Sequence, residues 1–236
     1  MKRQFLFIIT LLISIHSYAQ KNGFGIHTGV VATGIYNLSD GLDNDFEPAP
    51  GITIGARYNF KFGPIGLCAE LNYISKQYER IGETNIFGDF YEYANPTNLT
   101  QNYISMPLLL KFYVGPFNIH GGFQSAYLLN GSTQDVELGS TAYDDAEYYY
   151  TVNGQEYWVW EDIDVAAVFG FGLDLNMGLY MSCRGAVSLT PIKNMDWINA
   201  VNDEYNAIGS PDLFDSQFID ELGRLVTSEI TIGYKF

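Results

Sequence analysis

The sequence predicts an all-β fold, an eight-stranded antiparallel up-and-down transmembrane β-barrel, from three observations. Eight segments alternate apolar residues with polar or small ones, as strands with one apolar face do. Short and long connections alternate strictly between these segments. Aromatic residues gather at the segment ends beside the short connections, which is typical of rings at a membrane interface.

Residues 1–19 are predicted to be a secretory signal peptide. Lys2 and Arg3 form a positively charged N-terminal region, and residues 5–15 form an apolar run. Ser17-Tyr18-Ala19 has the small residues of a cleavage site. The run is too short for the roughly 20 apolar residues of a spanning helix. The remaining residues, 20–236, are expected to form one barrel domain, since all-β domains commonly reach this size undivided.

The predicted strands share a period of two. In the second strand Ile52, Ile54 and Tyr58 face one way and Thr53 and Arg57 the other. A soluble sandwich would also alternate, but hydrocarbon requires a closed sheet without unpaired edges. The predicted strands cover residues 24–36, 51–60, 65–73, 103–113, 117–128, 163–175, 179–189 and 228–236.

The connections predict the orientation of the barrel. Three are tight and carry Gly or Pro, at residues 61–64, 114–116 and 176–178. Four are long, at residues 37–50, 79–102, 130–162 and 190–223. Outer-membrane barrels have short periplasmic turns and long extracellular loops, so the long loops are expected outside the cell and both termini on the periplasmic side.

The inward faces of the predicted strands carry charged residues of both signs. A barrel of eight strands is just wide enough for side chains to fill it or for one small ligand, and charges inside must pair or stay hydrated. We expect an ion-pair network that fills the lumen; a proton path or a narrow ion pore is the alternative. The predicted network comprises Arg57, Glu70, Lys111, Asp164, Asp174, Arg184, Glu229 and Lys235.

The long loops hold the other 23 of the 27 acidic residues. In the third loop these carboxylates are interleaved with tyrosine and tryptophan, residue types that are enriched in recognition surfaces. A solvated acidic rim is the plainer interpretation, and binding of a partner protein or glycan is the functional one. The candidate binding residues are Tyr148, Tyr149, Tyr150, Tyr157, Trp158 and Trp160.

Other kinds of site have weak support in the sequence. His27 and His120 face inward on different strands, without the spacing of a metal site, and Asp40, Asp43, Asp45 and Glu47 do not match a full EF-hand loop. Cys68 and Cys183 are expected on opposite faces and therefore unpaired. No nucleophile, base and acid constellation is recognisable. We expect no catalytic residues, no metal and no cofactor.

Several motifs resemble those of the PorT-like outer-membrane β-barrel proteins of Bacteroidetes. They are the Ala-Gln end of the signal, the strand Ile54-Gly55-Ala56-Arg57-Tyr58, the strand at residues 103–111 with Pro107-Leu108-Leu109-Leu110-Lys111, and the aromatic last strand. The resemblance covers essentially the whole mature chain. It implies that Ile232, Tyr234 and Phe236 form the signal read by the barrel-assembly machinery.

Together these features predict an exported, non-enzymatic protein of the bacterial outer membrane. It is expected either to present its loops outward for interaction or to support the envelope. Its expected partners are outer-membrane lipid, the barrel-assembly machinery and an extracellular protein or glycan. Nucleic acid is excluded by a net charge of −15. The alternatives are a narrow porin-like channel or transporter, an accessory part of a protein secretion apparatus, and a soluble ligand-binding barrel.

Overall fold

Eight long strands form a closed antiparallel barrel. The computed structural model describes residues 22–37, 41–42, 46–80, 97–135, 149–152, 155–158, 161–207, 209 and 223–236. The barrel strands are β1 (Gly23–Asn37), β3 (Phe46–Phe62), β4 (Ile65–Arg80), β5 (Thr97–Val114), β6 (Phe117–Asp135), β9 (Ile163–Asp174), β10 (Leu179–Ser188) and β11 (Arg224–Lys235).

Each barrel strand pairs with its neighbour in sequence, and β1 pairs with β11 from Gly25↔Lys235 to Tyr36↔Arg224. This last pairing closes the sheet and confirms the predicted up-and-down barrel. The smaller elements are β2 (Gly41–Leu42), a hairpin of β7 (Tyr149–Val152) and β8 (Gln155–Trp158), and helix α1 (Met195–Ala207). Within the described ranges no helix has the length and apolarity needed to cross a bilayer.

The three predicted tight turns are confirmed, and each contains a glycine with positive φ. Gly63 has φ 60°, Gly115 φ 72° and Gly178 φ 92°. Gly63 and Gly115 stand at the first central position of two-residue hairpin turns, which needs such a conformation to match the twist of the strands, and glycine adopts it without steric cost. Gly178 is the last residue of the four-residue connection between β9 and β10. The proline that follows Gly63 and Gly115 takes the second position, where its fixed negative φ fits.

Large apolar side chains cover the outside of the barrel. They are half or more exposed at positions such as Ile54, Leu108 and Phe169. A protein in water rarely exposes a contiguous apolar patch of this kind, so the band is the surface that meets lipid. Aromatic rings end this band at the short-turn rim, as expected for an interfacial girdle: Phe24, Tyr58, Phe60, Phe62, Phe112, Phe117, Tyr234 and Phe236.

Five strands extend four or more residues farther toward the long loops than the sequence predicts. β3 begins at Phe46, β4 ends at Arg80, β5 begins at Thr97, β6 ends at Asp135 and β11 begins at Arg224. Parts of the first three predicted long loops are therefore strand. The lipid-facing alternation stops at the bilayer, but backbone pairing continues in water. There the outward face carries hydrogen-bonded polar side chains: the Tyr73 hydroxyl donates to Asn102 Oδ1 at 2.9 Å, and Asn102 Nδ2 donates to Asn130 Oδ1 at 2.7 Å.

Candidate functional site

The inward side chains of the barrel form three tiers of charged and polar groups. The position of each tier along the barrel axis follows from the strand residues that carry it. Asp174 ends β9 beside a short turn, Arg184 lies in the middle of β10, and Asp164 is the second residue of β9, near the long loops. All four ion pairs among the described residues lie in this lumen, and their side chains are 2–8% exposed.

The lower tier joins Arg57 to Asp174. Arg57 Nη2 lies 2.9 Å from Asp174 Oδ1, and the guanidinium carbon stands 3.1 Å from the centroid of the Tyr180 ring. The Tyr113 hydroxyl donates to Asp174 Oδ2 at 3.2 Å and accepts from Asn59 Nδ2 at 2.8 Å. Cation–π contact and charge-assisted hydrogen bonds therefore replace the water that these buried charges lose.

The middle tier is a triad in which one guanidinium serves two carboxylates. Arg184 Nη1 lies 2.6 Å from Glu70 Oε2, and Arg184 Nη2 lies 2.8 Å from Glu229 Oε1. Arg184 Nε also donates to Glu229 Oε2 at 3.1 Å, which makes that contact bidentate. Asn72 Nδ2 donates to Glu70 Oε2 at 3.3 Å. The triad carries one negative charge in excess.

Lys111 is the nearby cation that offsets this excess. It is buried, and among the described residues no carboxylate oxygen lies within 4.0 Å of its ammonium. Lys235 is partly buried at the end of β11 and likewise forms no ion pair with a described residue. The structure therefore brings six of the eight predicted network residues into direct pairs, and leaves Lys111 and Lys235 outside them.

The upper tier contains a cation that sequence reasoning missed. Lys76 Nζ lies 2.8 Å from Asp164 Oδ2 and 4.6 Å from the centroid of the Tyr103 ring. Thr190 Oγ1 donates to Asp164 Oδ1 at 3.3 Å. The signal was present, because the inward positions of β4 continue from Asn72 through Lys76 to Tyr78. The predicted strand ended at residue 73, so Lys76 was not assigned to the lumen.

An apolar cluster lies at the long-loop end of the lumen. It consists of six buried residues from five barrel strands, with Leu99 and Ile192 packed against it. The apolar cluster and the ion pairs therefore both lie among the inward side chains of the barrel. The buried members of the cluster are Ile35, Tyr78, Tyr103, Ala126, Leu128 and Leu225.

The two barrel histidines form hydrogen bonds with lumen side chains. His27 Nδ1 lies 3.1 Å from the Tyr180 hydroxyl, and His120 Nδ1 lies 2.9 Å from Asn118 Oδ1. In the described part of the chain no three His, Cys, Asp or Glu side chains are grouped as metal ligands. Of the carboxylates weighed for Ca²⁺, Asp40, Asp43 and Asp45 lie outside the described residues. Both cysteines are free, as predicted.

The predicted loop-binding residues lie partly on the β7–β8 hairpin. Its register sets Tyr149 opposite Trp158 and Tyr150 opposite Tyr157, and helix α1 lies beside it. Tyr148 and Trp160 lie outside the described residues. Near the base of this loop, partial burial raises the pKa of the Glu161 carboxyl, and the charges of Asp162 and Asp196 add to the shift. Glu161, Asp162 and Asp196 therefore repel one another electrostatically at this point of the rim.

The predicted assembly residues are on the outward face of β11. Ile232, Tyr234 and Phe236 are all exposed. The Phe236 ring stacks on Phe24 with centroids 6.4 Å apart and meets the edge of Tyr234 at 5.4 Å. The Phe236 amide donates to the Phe24 carbonyl at 2.9 Å, so the last residue is fixed at the seam that closes the barrel.

Comparisons with known proteins agree with this architecture. Residues 18–194 match the family model described as an outer membrane protein beta-barrel domain. No curated protein matches the chain.

Similar solved structures include three small barrels. The first is Ail, the attachment invasion locus protein of Yersinia pestis, which was solved with the heparin analogue sucrose octasulfate. Its sequence is 11% identical to this chain, the alignment covers 92% of this chain and 100% of Ail, and the TM-score is 0.46. Neisserial surface protein A is 8% identical (92% and 100% covered, TM-score 0.44). OprG of Pseudomonas aeruginosa is 14% identical (92% and 98% covered, TM-score 0.39). Likeness at this level carries no argument about ligands or activity.

Proposed function

The chain belongs to the outer membrane protein β-barrel family, and from that premise we propose that it is a non-enzymatic barrel that holds an acidic, aromatic-rich surface outside the cell for interaction. Its partner on that surface is an extracellular protein or glycan, and its other partners are outer-membrane lipid and the barrel-assembly machinery.

One observation carries this proposal: the ion-paired side chains of the lumen are 2–8% exposed. A pore lined by charged residues keeps those residues in contact with water, whereas these are paired and buried. We therefore infer that the side chains of the barrel interior stabilise the fold. The acidic residues outside the lumen, 23 of 27 by sequence, leave the rim as the region available for recognition.

Cysteine labelling on intact cells tests the orientation. We expect a membrane-impermeant maleimide to label Gln155→Cys, in the β8 strand of the third loop, and not Asn176→Cys, in a short turn. Both positions are exposed, so their difference reports the side of the membrane. The wild-type protein, with Cys68 buried and Cys183 on the lipid face, is the background control. Labelling of Asn176→Cys alone would reverse the proposed topology.

Deletion of Phe236 tests the role of the last strand in assembly. We expect less heat-modifiable, folded protein in the outer membrane, because the terminal aromatic residue is part of the proposed assembly signal. Refolding of the purified variant in detergent separates this role from stability, since Phe236 also contacts Phe24 and Tyr234. Equal refolding with poor assembly in cells supports a signal, and normal assembly in cells rejects it.

The PorT-like assignment and the cleaved signal peptide 1–19 are part of the same proposal. They are supported by the strand at residues 103–111, which is β5 in the structure, and by the charge and apolar run of residues 2–15. Mass analysis of the mature protein tests cleavage: a start near Gln20 is expected. If deletion of the coding sequence leaves the export of secreted cargo unaltered, a secretion role is excluded.

A further inference from the structure

Strand β6 continues past the point where its pairing with β9 ends. β9 pairs with β6 as far as Ile163↔Tyr127, and the Leu128 amide still donates to the Asp162 carbonyl at 2.8 Å. β6 runs on to Asp135, paired with β5 from Asn102↔Asn130 to Thr97↔Asp135. On its other side, residues 129–135 pair with no strand in the described part of the chain. We call this segment the β6 edge.

An edge of this kind offers unpaired backbone groups to another chain. Strands at a sheet edge are commonly protected by lysine, proline or a bulge. Residues 129–135 contain neither lysine nor proline. The register shift between Asn102 and Tyr103 leaves Leu129 of β6 without a partner on β5 where the extension begins, and the six residues that follow, 130–135, pair regularly with β5. The β6 edge therefore fits the addition of an extended strand.

The negative charge near the β6 edge determines which kind of strand could bind there. Residues 129–162, which follow directly on the barrel part of β6, contain eight acidic and no basic residues. Glu161 and Asp162 lie beside Leu128, where the edge begins. A second copy of this chain would bring the same negative charge, and like charges across an interface oppose association. A partner rich in lysine and arginine is complementary.

We propose that the β6 edge is a docking site for a basic, extended polypeptide segment, which pairs with residues 129–135 as an added strand. The proposal rests on the proposed outward-facing role, because the edge lies on the side of the long loops. Backbone hydrogen bonds fix the position of the segment, and the surrounding carboxylates select its charge and accelerate its association.

A synthetic peptide of three Lys-Val-Thr repeats tests the proposal on the full-length protein in detergent. The matched control peptide has the same residues, but the backbone nitrogens of its valines and threonines are methylated. Methylation removes backbone N–H donors from both edges of the peptide and leaves its charge unchanged. Affinity is measured by fluorescence anisotropy. Hydrogen exchange of residues 129–135, with and without peptide, locates the binding site.

We expect the unmodified peptide to bind and to slow the exchange of residues 129–135. The methylated peptide should bind at least about tenfold more weakly, since each net hydrogen bond contributes about 1 kcal/mol. The double variant Glu161→Gln with Asp162→Asn should weaken binding and reduce its dependence on salt. Heat-modifiable migration confirms that the variant is folded.

Three results would overturn the inference. Equal affinity for both peptides would mean that charge alone binds them, which removes strand addition but leaves an outward-facing binding surface in place. Slow exchange in the free protein of those amides of residues 129–135 that point away from β5 would show that the edge is already covered. Absence of any peptide binding would reject the docking site, while the cysteine-labelling result decides separately whether the surface faces outward.

Discussion

Replacement of Arg184 by methionine is expected to lower the free energy of unfolding by about 3–5 kcal/mol, the range for a buried ion pair that loses one partner. The guanidinium is hydrogen-bonded to both Glu70 and Glu229, and all three side chains are buried. Without it, two carboxylates stay in the lumen with Lys111 as the remaining nearby cation. The change removes little volume, so the loss reports the charges rather than a cavity.

Urea unfolding of the protein in detergent, followed by gel mobility and tryptophan fluorescence, measures this loss. The matched control is the triple variant Arg184→Met, Glu70→Gln and Glu229→Gln, which removes the carboxylate charges as well. We expect it to recover more than half of the lost stability. A loss below about 1 kcal/mol for Arg184→Met, typical of an exposed pair, would mean that the triad is hydrated and the lumen open.

Replacement of Leu108 by arginine is expected to cost about 2–4 kcal/mol, the range for a cation facing lipid near the bilayer midplane of a barrel. Leu108 is 54% exposed on β5, between Met106 and Leu110 on the outward face. The outward apolar residues of this strand run from Ile104 to Phe112, which places Leu108 at their centre. The measurement is the unfolding free energy in lipid vesicles.

Leu129→Arg is the matched control for this change. Leu129 is also outward and about half exposed, but it follows Leu128 in the extension of β6 above the apolar band. The same substitution should cost less than about 1 kcal/mol there, since the penalty falls toward the interface. Equal costs at Leu108 and Leu129 would contradict the assignment of the outward band to lipid.

The period-two pattern was sufficient to predict the barrel strands and the faces of their residues. Apolar residues such as Ile52 and Ile54 must alternate with lumen residues wherever lipid lies on one side only. The tight turns were predicted from the glycine or proline residues in the short connections. Beyond the bilayer both faces meet water, so the pattern fades, and the extensions at Phe46–Pro50 and Leu129–Asp135 were predicted as loop. Helix α1 lies in an acidic loop without a clear helical period and was also missed.

The lumen residues were predictable, but their partners were not. Alternation indicates that Arg57 and Asp174 both point inward, but they are 117 residues apart. Which inward residues meet depends on how far each strand is shifted along its neighbour around the whole barrel. That shift comes from the sum of all pairings, including the irregularity between Ala49 and Ile52. No local pattern contains this information.

Electrical recording from the purified full-length protein in planar bilayers tests whether the lumen is filled, so that the protein acts through its outer rim. A filled lumen is expected to give no stable conductance steps. Reproducible small-ion steps whose size or selectivity changes in Arg57→Gln or Glu70→Gln would contradict it, because they would show that ions pass the buried charges of the barrel.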